Sequence, residues 1–215
     1  MSTDRSARGY SPTEELFNGL THGLGLLLSL VGLVVLVIHA CTQGSAWHVL
    51  SFSVFGISLV FLYLSSALYH SLKAPRQKTF FKKMDHSAIF LLIAGTYTPF
   101  MLINLRGPWG WSIFGAVWGL ALLGIILKWT GIHRFRRLSL VLYLGMGWMC
   151  LIALKEMITH VPAVGLYFLL AGGFCYSAGV VFYVRKTVRF SHTVWHIFVL
   201  AGSALHYFAV LSCLG

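Results

Sequence analysis

Acidic side chains are scarce in this chain: five Asp and Glu among 215 residues, against sixteen Lys and Arg. Charge of either sign makes up only 10% of the sequence, where a soluble domain carries about a quarter. A surface so poor in charge excludes a water-soluble globule, and a 58% hydrophobic content points to an integral membrane protein. Cysteine is sparse as well, and Cys41, Cys150, Cys175 and Cys213 stand singly in or beside apolar runs without a CxxC pair. That pattern argues against a disulfide framework and a thiolate metal site, and leaves them as small buried apolar residues. The opening MSTDRSARGYSPTEEL has no apolar stretch of the kind a signal peptide needs. Residues 1–13 are expected to be a disordered cytoplasmic segment, and 14–215 a single membrane domain with no inserted soluble domain.

What is present in abundance is the apolar run of membrane-spanning length. A helix crosses the hydrocarbon with about 20 apolar residues, and seven such runs are predicted, at about 19–40, 48–71, 86–104, 109–129, 136–155, 163–184 and 193–213. The expected fold is therefore an all-α membrane protein, a bundle of seven transmembrane helices. Its net charge of +11 would suit a nucleic-acid partner, but placement decides otherwise. Arg5 and Arg8 precede span one, and Lys73, Arg76, Lys78, Lys82 and Lys83 lie between spans two and three. Lys128, Arg134, Arg136 and Arg137 lie between four and five, and Arg185, Lys186 and Arg189 between six and seven. Only Arg106 and Lys155 fall on the other side. The positive-inside rule then predicts a cytoplasmic N-terminus and an external C-terminus, in the cell's inner membrane. The basic charge is topology, with anionic lipid headgroups as its partners and no nucleic acid.

Several features carry structure alone. Trp47, Trp109 and Trp111 fall where an outer aromatic belt would place them. Gly19, Gly23 and Gly25 in span one, and Gly172, Gly173 and Gly179 in span six, would let helices approach closely. Pro99 is expected to kink span three.

Ionisable groups inside a membrane are costly and are functional candidates by default. His22 opens span one, His70 closes span two, Asp85 opens span three, and His192 and His196 open span seven. With alternating topology, all five share one membrane depth. His192 and His196 are i and i+4, on one helix face, and Ser66 and His70 have the same relation. Glu15, Asn18 and His22 follow i, i+3, i+7 on span one. Three imidazoles from two helices could converge on a metal ion, although HxxxH by itself is a weak signal. His39, His48, His133 and His160 are read as interfacial residues bonding helix carbonyls. His206, about 15 Å further along span seven than His196, is read as a satisfied packing residue.

Three segments, EELFNGLTH (14–22), SSALYH (65–70) with KKMDHSAIFLLIAGTYTPF (82–100), and SHTVWH (191–196), together resemble the hemolysin III group of the progestin and adipoQ receptor family. The likeness runs over about residues 14–213. It implies a zinc ion held by His70, His192 and His196, with Ser66 as the motif serine and Asp85 holding the zinc-bound water. His22 lies outside the usual ligand set, and it and Asn18 are placed behind the ligands. The wider superfamily includes alkaline ceramidases, zinc-dependent amide hydrolases within membranes, and bacterial members are described as hemolysins or regulators of membrane lipid state. The chain lacks the long N-terminal region of the hormone receptors, so a protein hormone is not expected as a partner.

Three histidines and a water are the donor set of a catalytic zinc site. There Asp85 would act as general base and Ser66 would steady a developing oxyanion. The leading expectation is a hydrolase cleaving a lipid amide or ester at the cytoplasmic leaflet. A metal-stabilised sensor of membrane lipid composition and a pore-forming cytolysin are the alternatives. Clustering of ionisable residues at one end disfavours a monomeric pore and leaves a homo-oligomer open.

Overall fold

The computed structural model describes residues 10–130, 136–185 and 188–214. Residues 1–9, the greater part of the segment expected to be disordered, lie outside the described residues, as do His133, Arg134 and Lys186. Helix is the only regular secondary structure among the described residues, and seven stretches are long and apolar enough to cross a membrane. The helices are α1 (Pro12–Gln43), α2 (Ala46–Ser71), α3 (Pro75–Pro99), α4 (Pro108–Trp129), α5 (Arg136–Gly147), α6 (Leu154–His160), α7 (Ala163–Val184) and α8 (Ser191–Leu211). α5 and α6 are the two halves of the fifth span, and short 3-10 turns join them and extend α8.

α1 starts well before its apolar run because SPTE is a capping box. The Ser11 hydroxyl accepts from the Glu14 N–H at 3.2 Å, the Glu14 carboxylate accepts from the Ser11 N–H at 3.0 Å, and Pro12 takes the first helical position. The extra turns carry Glu14 and Glu15 on a helix instead of a tail. α3 likewise begins at Pro75, so Asp85 sits about 15 Å inside its helix and not at its start. The intervening turns hold Arg76, Lys78, Lys82 and Lys83.

Proline and glycine act as expected in part. At Pro99 the missing N–H and the ring's clash with the preceding turn widen the register, and the span continues as a π-helical turn over Phe100–Asn104, with the Leu105 N–H donating to the Phe100 carbonyl at 2.9 Å. A β-carbon on Gly25 would stand 2.5 Å from the Tyr63 ring, so only glycine admits that close approach of α1 to α2. Gly23 has nothing within 4 Å of such a carbon, and the role proposed for it in packing does not hold.

The break in the fifth span has no forewarning in its apolar pattern. It is filled by Tyr97, whose hydroxyl donates to the Gly147 carbonyl at 3.1 Å and accepts from the Cys150 N–H at 2.7 Å. The freed backbone groups are thereby satisfied inside protein, as a membrane interior demands.

α3 is the axis of the bundle, packing on α2 and α4 and touching α5 and α8; α1 lies on α2 and α8, and α7 on α8. Large apolar side chains such as Leu27, Val31, Val141 and Phe174 are exposed on the outside of the bundle. In water such a surface would aggregate; against acyl chains it is the solvated one. At the end opposite the histidine motifs, Arg106 lies 4.4 Å over the Trp47 ring, and Trp47 meets Trp111 edge-on at 6.0 Å.

Candidate metal centre and the adjoining cavity

α2 ends and α8 begins at the same level, beside the first turns of α1, and this brings together side chains from the two ends of the chain. The rings of His70, His192 and His196 form a triangle with centroid separations of 5.2, 5.1 and 4.6 Å. One ligand-capable atom from each lies within 4.8 Å of the others. Three imidazole nitrogens gathered this closely are a donor set that would suit zinc.

The hydrogen bonds behind the rings decide which nitrogens point inward. His70 Nδ1 lies 2.6 Å from Glu15 Oε2, so the Nδ1–H donates to the carboxylate and Nε2 keeps its lone pair. The other Glu15 oxygen accepts from Lys78 Nζ at 2.6 Å, which fixes the carboxylate. His196 Nδ1 donates to the Asn18 carbonyl at 3.3 Å, with the Thr21 hydroxyl at the same distance. The Asn18 side-chain oxygen in turn accepts from the Thr193 hydroxyl at 2.6 Å, clamping α1 to α8. Nε2 of both His70 and His196 is buried with no hydrogen-bond partner. A buried imidazole nitrogen without a partner costs about 1–3 kcal/mol unless a ligand takes it. Two of them aimed into one triangle, each with its far nitrogen anchored, form the carboxylate- and carbonyl-backed arrangement in which histidines bind metal. The residues fit a divalent cation such as zinc. His192 stands under Tyr10, stacked at 4.6 Å, and against Trp195 at 4.9 Å.

The other expected site residues surround this triangle without entering it. Asp85 is buried but lies outside the group of atoms within 4.8 Å of one another, so it is not a fourth ligand in this geometry. Ser66 is wholly buried, one turn before His70, and its hydroxyl lies toward the Asp85 carboxylate. His22 stacks on His196 with a centroid distance of 3.5 Å and an angle of 13°. Asn18 holds His196 through its backbone, as above.

Asp85 and His22 also line a cavity of about 150 Å³ between α3, the fifth span, α7 and α8. Its wall along α3 runs from Asp85 to Met101, about 24 Å of helix, and is otherwise nearly all apolar and aromatic, with Ile93, Leu144, Val180 and Val199 among its residues. It is long and mainly apolar, with Asp85 and His22 at the histidine end and Thr96, Ser177 and His206 further along.

The haemolysin-III-related family model matches residues 10–207. This chain belongs to that family. Among its relatives, Hemolysin-3 of Bacillus cereus is 46% identical over 198 residues, covering 92% of this chain and 90% of the relative. The Hemolysin-3 homolog of Bacillus subtilis (strain 168) is 48% identical over 198 residues, covering 92% and 93%. The human monocyte to macrophage differentiation factor is 28% identical over 209 residues, covering 94% and 85%, a distant homologue of the progestin and adipoQ receptor type. Family membership and the seven apolar helices make the chain a multi-pass membrane protein.

For this haemolysin-III-related chain, two acidic residues of the EELFNGLTH segment gain a task that the sequence had not assigned to them. Glu15 orients His70. Glu14 accepts from the Phe190 N–H at 2.9 Å and so holds the residue before α8, which adopts left-handed φ 58°. The signal available beforehand was the SPTEE capping box, which puts both carboxylates on a helix at the histidine end. The cavity had no such signal, because its lining comes from six of the seven spans.

Proposed function

We propose that this protein is a zinc-dependent hydrolase acting on an amide or ester linkage of a membrane lipid, at the cytoplasmic leaflet. The observation that carries the reading is the placement of two unpartnered imidazole nitrogens beside a buried carboxylate that heads a long apolar cavity. The cavity suits an acyl chain, and Asp85 and His22 at its histidine end suit the polar linkage of that lipid.

His70, His192 and His196 would hold the zinc. The bound ion would polarise the carbonyl and bring the pKa of an adjoining water to about 7. Asp85 is close enough to the polar end to take a proton and too far from the triangle to be a ligand, which is the position a general base requires. The water oxygen bonds to the carbonyl carbon, the bond to nitrogen or oxygen breaks, and Asp85 passes the water's proton to the leaving amine or alkoxide. The Ser66 hydroxyl, beside the Asp85 carboxylate, would steady that base and turn to the carbonyl oxygen as charge develops there. Apolar walls exclude bulk water, so these dipoles act in a low dielectric.

The test is purified full-length protein, zinc-loaded, offered a panel of ceramide-like amides and phospholipids. Release of fatty acid that vanishes in Asp85→Ala, with metal still bound, supports the reading. Stoichiometric metal with no cleavage of any lipid would overturn it in favour of a metal-stabilised regulator of membrane lipids. The relatives' name favours a second reading as a cytolysin. Dye release from liposomes carrying the protein at high protein-to-lipid ratio would support that one, and intact liposomes would dismiss it.

A further inference from the structure

His22 is an anomaly that holding a metal at the histidine triangle does not account for. It is 1% exposed, and neither ring nitrogen has a hydrogen-bond partner. Every other histidine whose bonds have been described engages at least one nitrogen, most often with a backbone carbonyl. The ring is also rigidly placed. His196 covers one face at 3.5 Å and Tyr63 meets it edge-on at 5.1 Å and 90°. It is outside the ligand triangle, yet it lines the cavity together with Asp85.

A packing role alone would be filled more cheaply by phenylalanine, which offers the same flat ring without two buried polar atoms to desolvate. A neutral imidazole presents one donor and one acceptor. Both are the complement of a secondary amide, and the donor alone is the complement of an ester carbonyl. The polar wall of the cavity therefore holds a carboxylate, which can accept, and an imidazole, which can do both.

We infer that His22 is a substrate-binding residue, hydrogen-bonded to the amide or ester group of a lipid whose chain lies in the cavity. The assignment rests on the hydrolase reading only for the location of that lipid. It makes His22 the residue that fixes the depth to which the chain enters, and so which bond stands beside Asp85. The stack on His196 ties this placement to the metal ligand, so that linkage and ligand keep a fixed separation.

The experiment uses full-length protein in detergent, loaded with a fluorescent polyene fatty acid. Displacement by palmitamide is compared with displacement by hexadecane, which has the same chain without the polar group. Metal content per chain is measured on the same samples. The wild type should favour palmitamide by about tenfold, the worth of one buried hydrogen bond. His22→Phe, which keeps the stacked ring, should lose that preference and retain the metal and the affinity for hexadecane. His22→Gln, which restores a donor and an acceptor, should recover part of it. A preference unchanged in His22→Phe would overturn the assignment, as would loss of metal in that variant to the extent seen in His70→Ala. The two readings fail separately. Lipid cleavage with a palmitamide preference indifferent to His22 sinks this inference alone. A His22-dependent preference in a protein that cleaves nothing sinks the hydrolase alone.

Discussion

At the end of the bundle that carries Trp47 and Trp111, His48 takes the Ser45 N–H on Nδ1 at 3.1 Å and sets Nε2 against the Cys213 carbonyl at 3.2 Å. His160 donates from Nδ1 to the Glu156 carbonyl at 3.0 Å, and His39, one helix over, to the Val35 carbonyl at 3.0 Å. At the other end, His70 and His196 anchor only Nδ1 and leave Nε2 buried and unengaged. Residue type and proximity to a helix end are the same in both groups. The difference lies in the second nitrogen, which is bonded to the Cys213 carbonyl in His48 and is buried and unengaged in His70 and His196. An imidazole with both nitrogens bonded, like His48, serves the local backbone, whereas one anchored by Glu15 or Asn18 on one nitrogen and left bare on the other, like His70 or His196, keeps a donor for an ion. The second kind needs two helices to agree on a ring's orientation, which is why it clusters where α1, α2 and α8 meet.

The sharpest way to break this contrast is to remove one histidine from each group. His196→Ala should abolish stoichiometric zinc and reduce lipid cleavage by about a thousandfold or more, whereas His48→Ala should leave metal content at the wild-type level. Elemental analysis of both purified variants checks it, and metal surviving in His196→Ala would erase the distinction. Next in size is Asp85→Asn, which should keep the metal and slow turnover by about 10²–10⁴-fold, the usual worth of a general base. Metal lost from that variant would make Asp85 a ligand instead. Glu15→Gln is a smaller change, since the amide can still accept from His70 but carries no charge. It should weaken zinc by about 10–100-fold in a chelator competition, without altering the number of sites. The smallest effect belongs to His48→Ala on stability, about 1–2 kcal/mol by thermal unfolding in detergent, from the loss of its bonds to Ser45 and Cys213. A larger loss there would give that end a role beyond capping.

Much of the site was legible before any coordinates. Seven apolar runs punctuated by basic clusters predicted seven helices, and alternation alone put His22, His70, Asp85, His192 and His196 at one end. The histidines at the ends and loops that were read as bonding backbone do so at His39, His48 and His160, and His206 donates to the Leu169 carbonyl as a satisfied residue would. Glu15 was visible on the same helical face as Asn18 and His22 but had no assigned task, because the face of α2 it meets depends on how two helices rotate against each other. The early start of α1 was missed by following hydrophobicity, since a capping box is polar. The broken fifth span was missed because its apolar content is continuous across the break, and the tyrosine that repairs it lies in another helix.

Composition and periodicity determined the class, the number of spans and the end of the bundle at which the histidine motifs meet, because helix rise converts sequence position into height along a span. Depth is one coordinate of three. Rotation of each helix about its axis, and the choice of neighbours, came from the packing of Gly25 on Tyr63, the clamp of Thr193 on Asn18 and the Glu15 bridge between His70 and Lys78. Those contacts decided that His70 and His196 face each other, that Asp85 stands aside from the triangle, and that a cavity opens beside it. Each depends on side chains meeting across helices, whose mutual fit no single helix encodes.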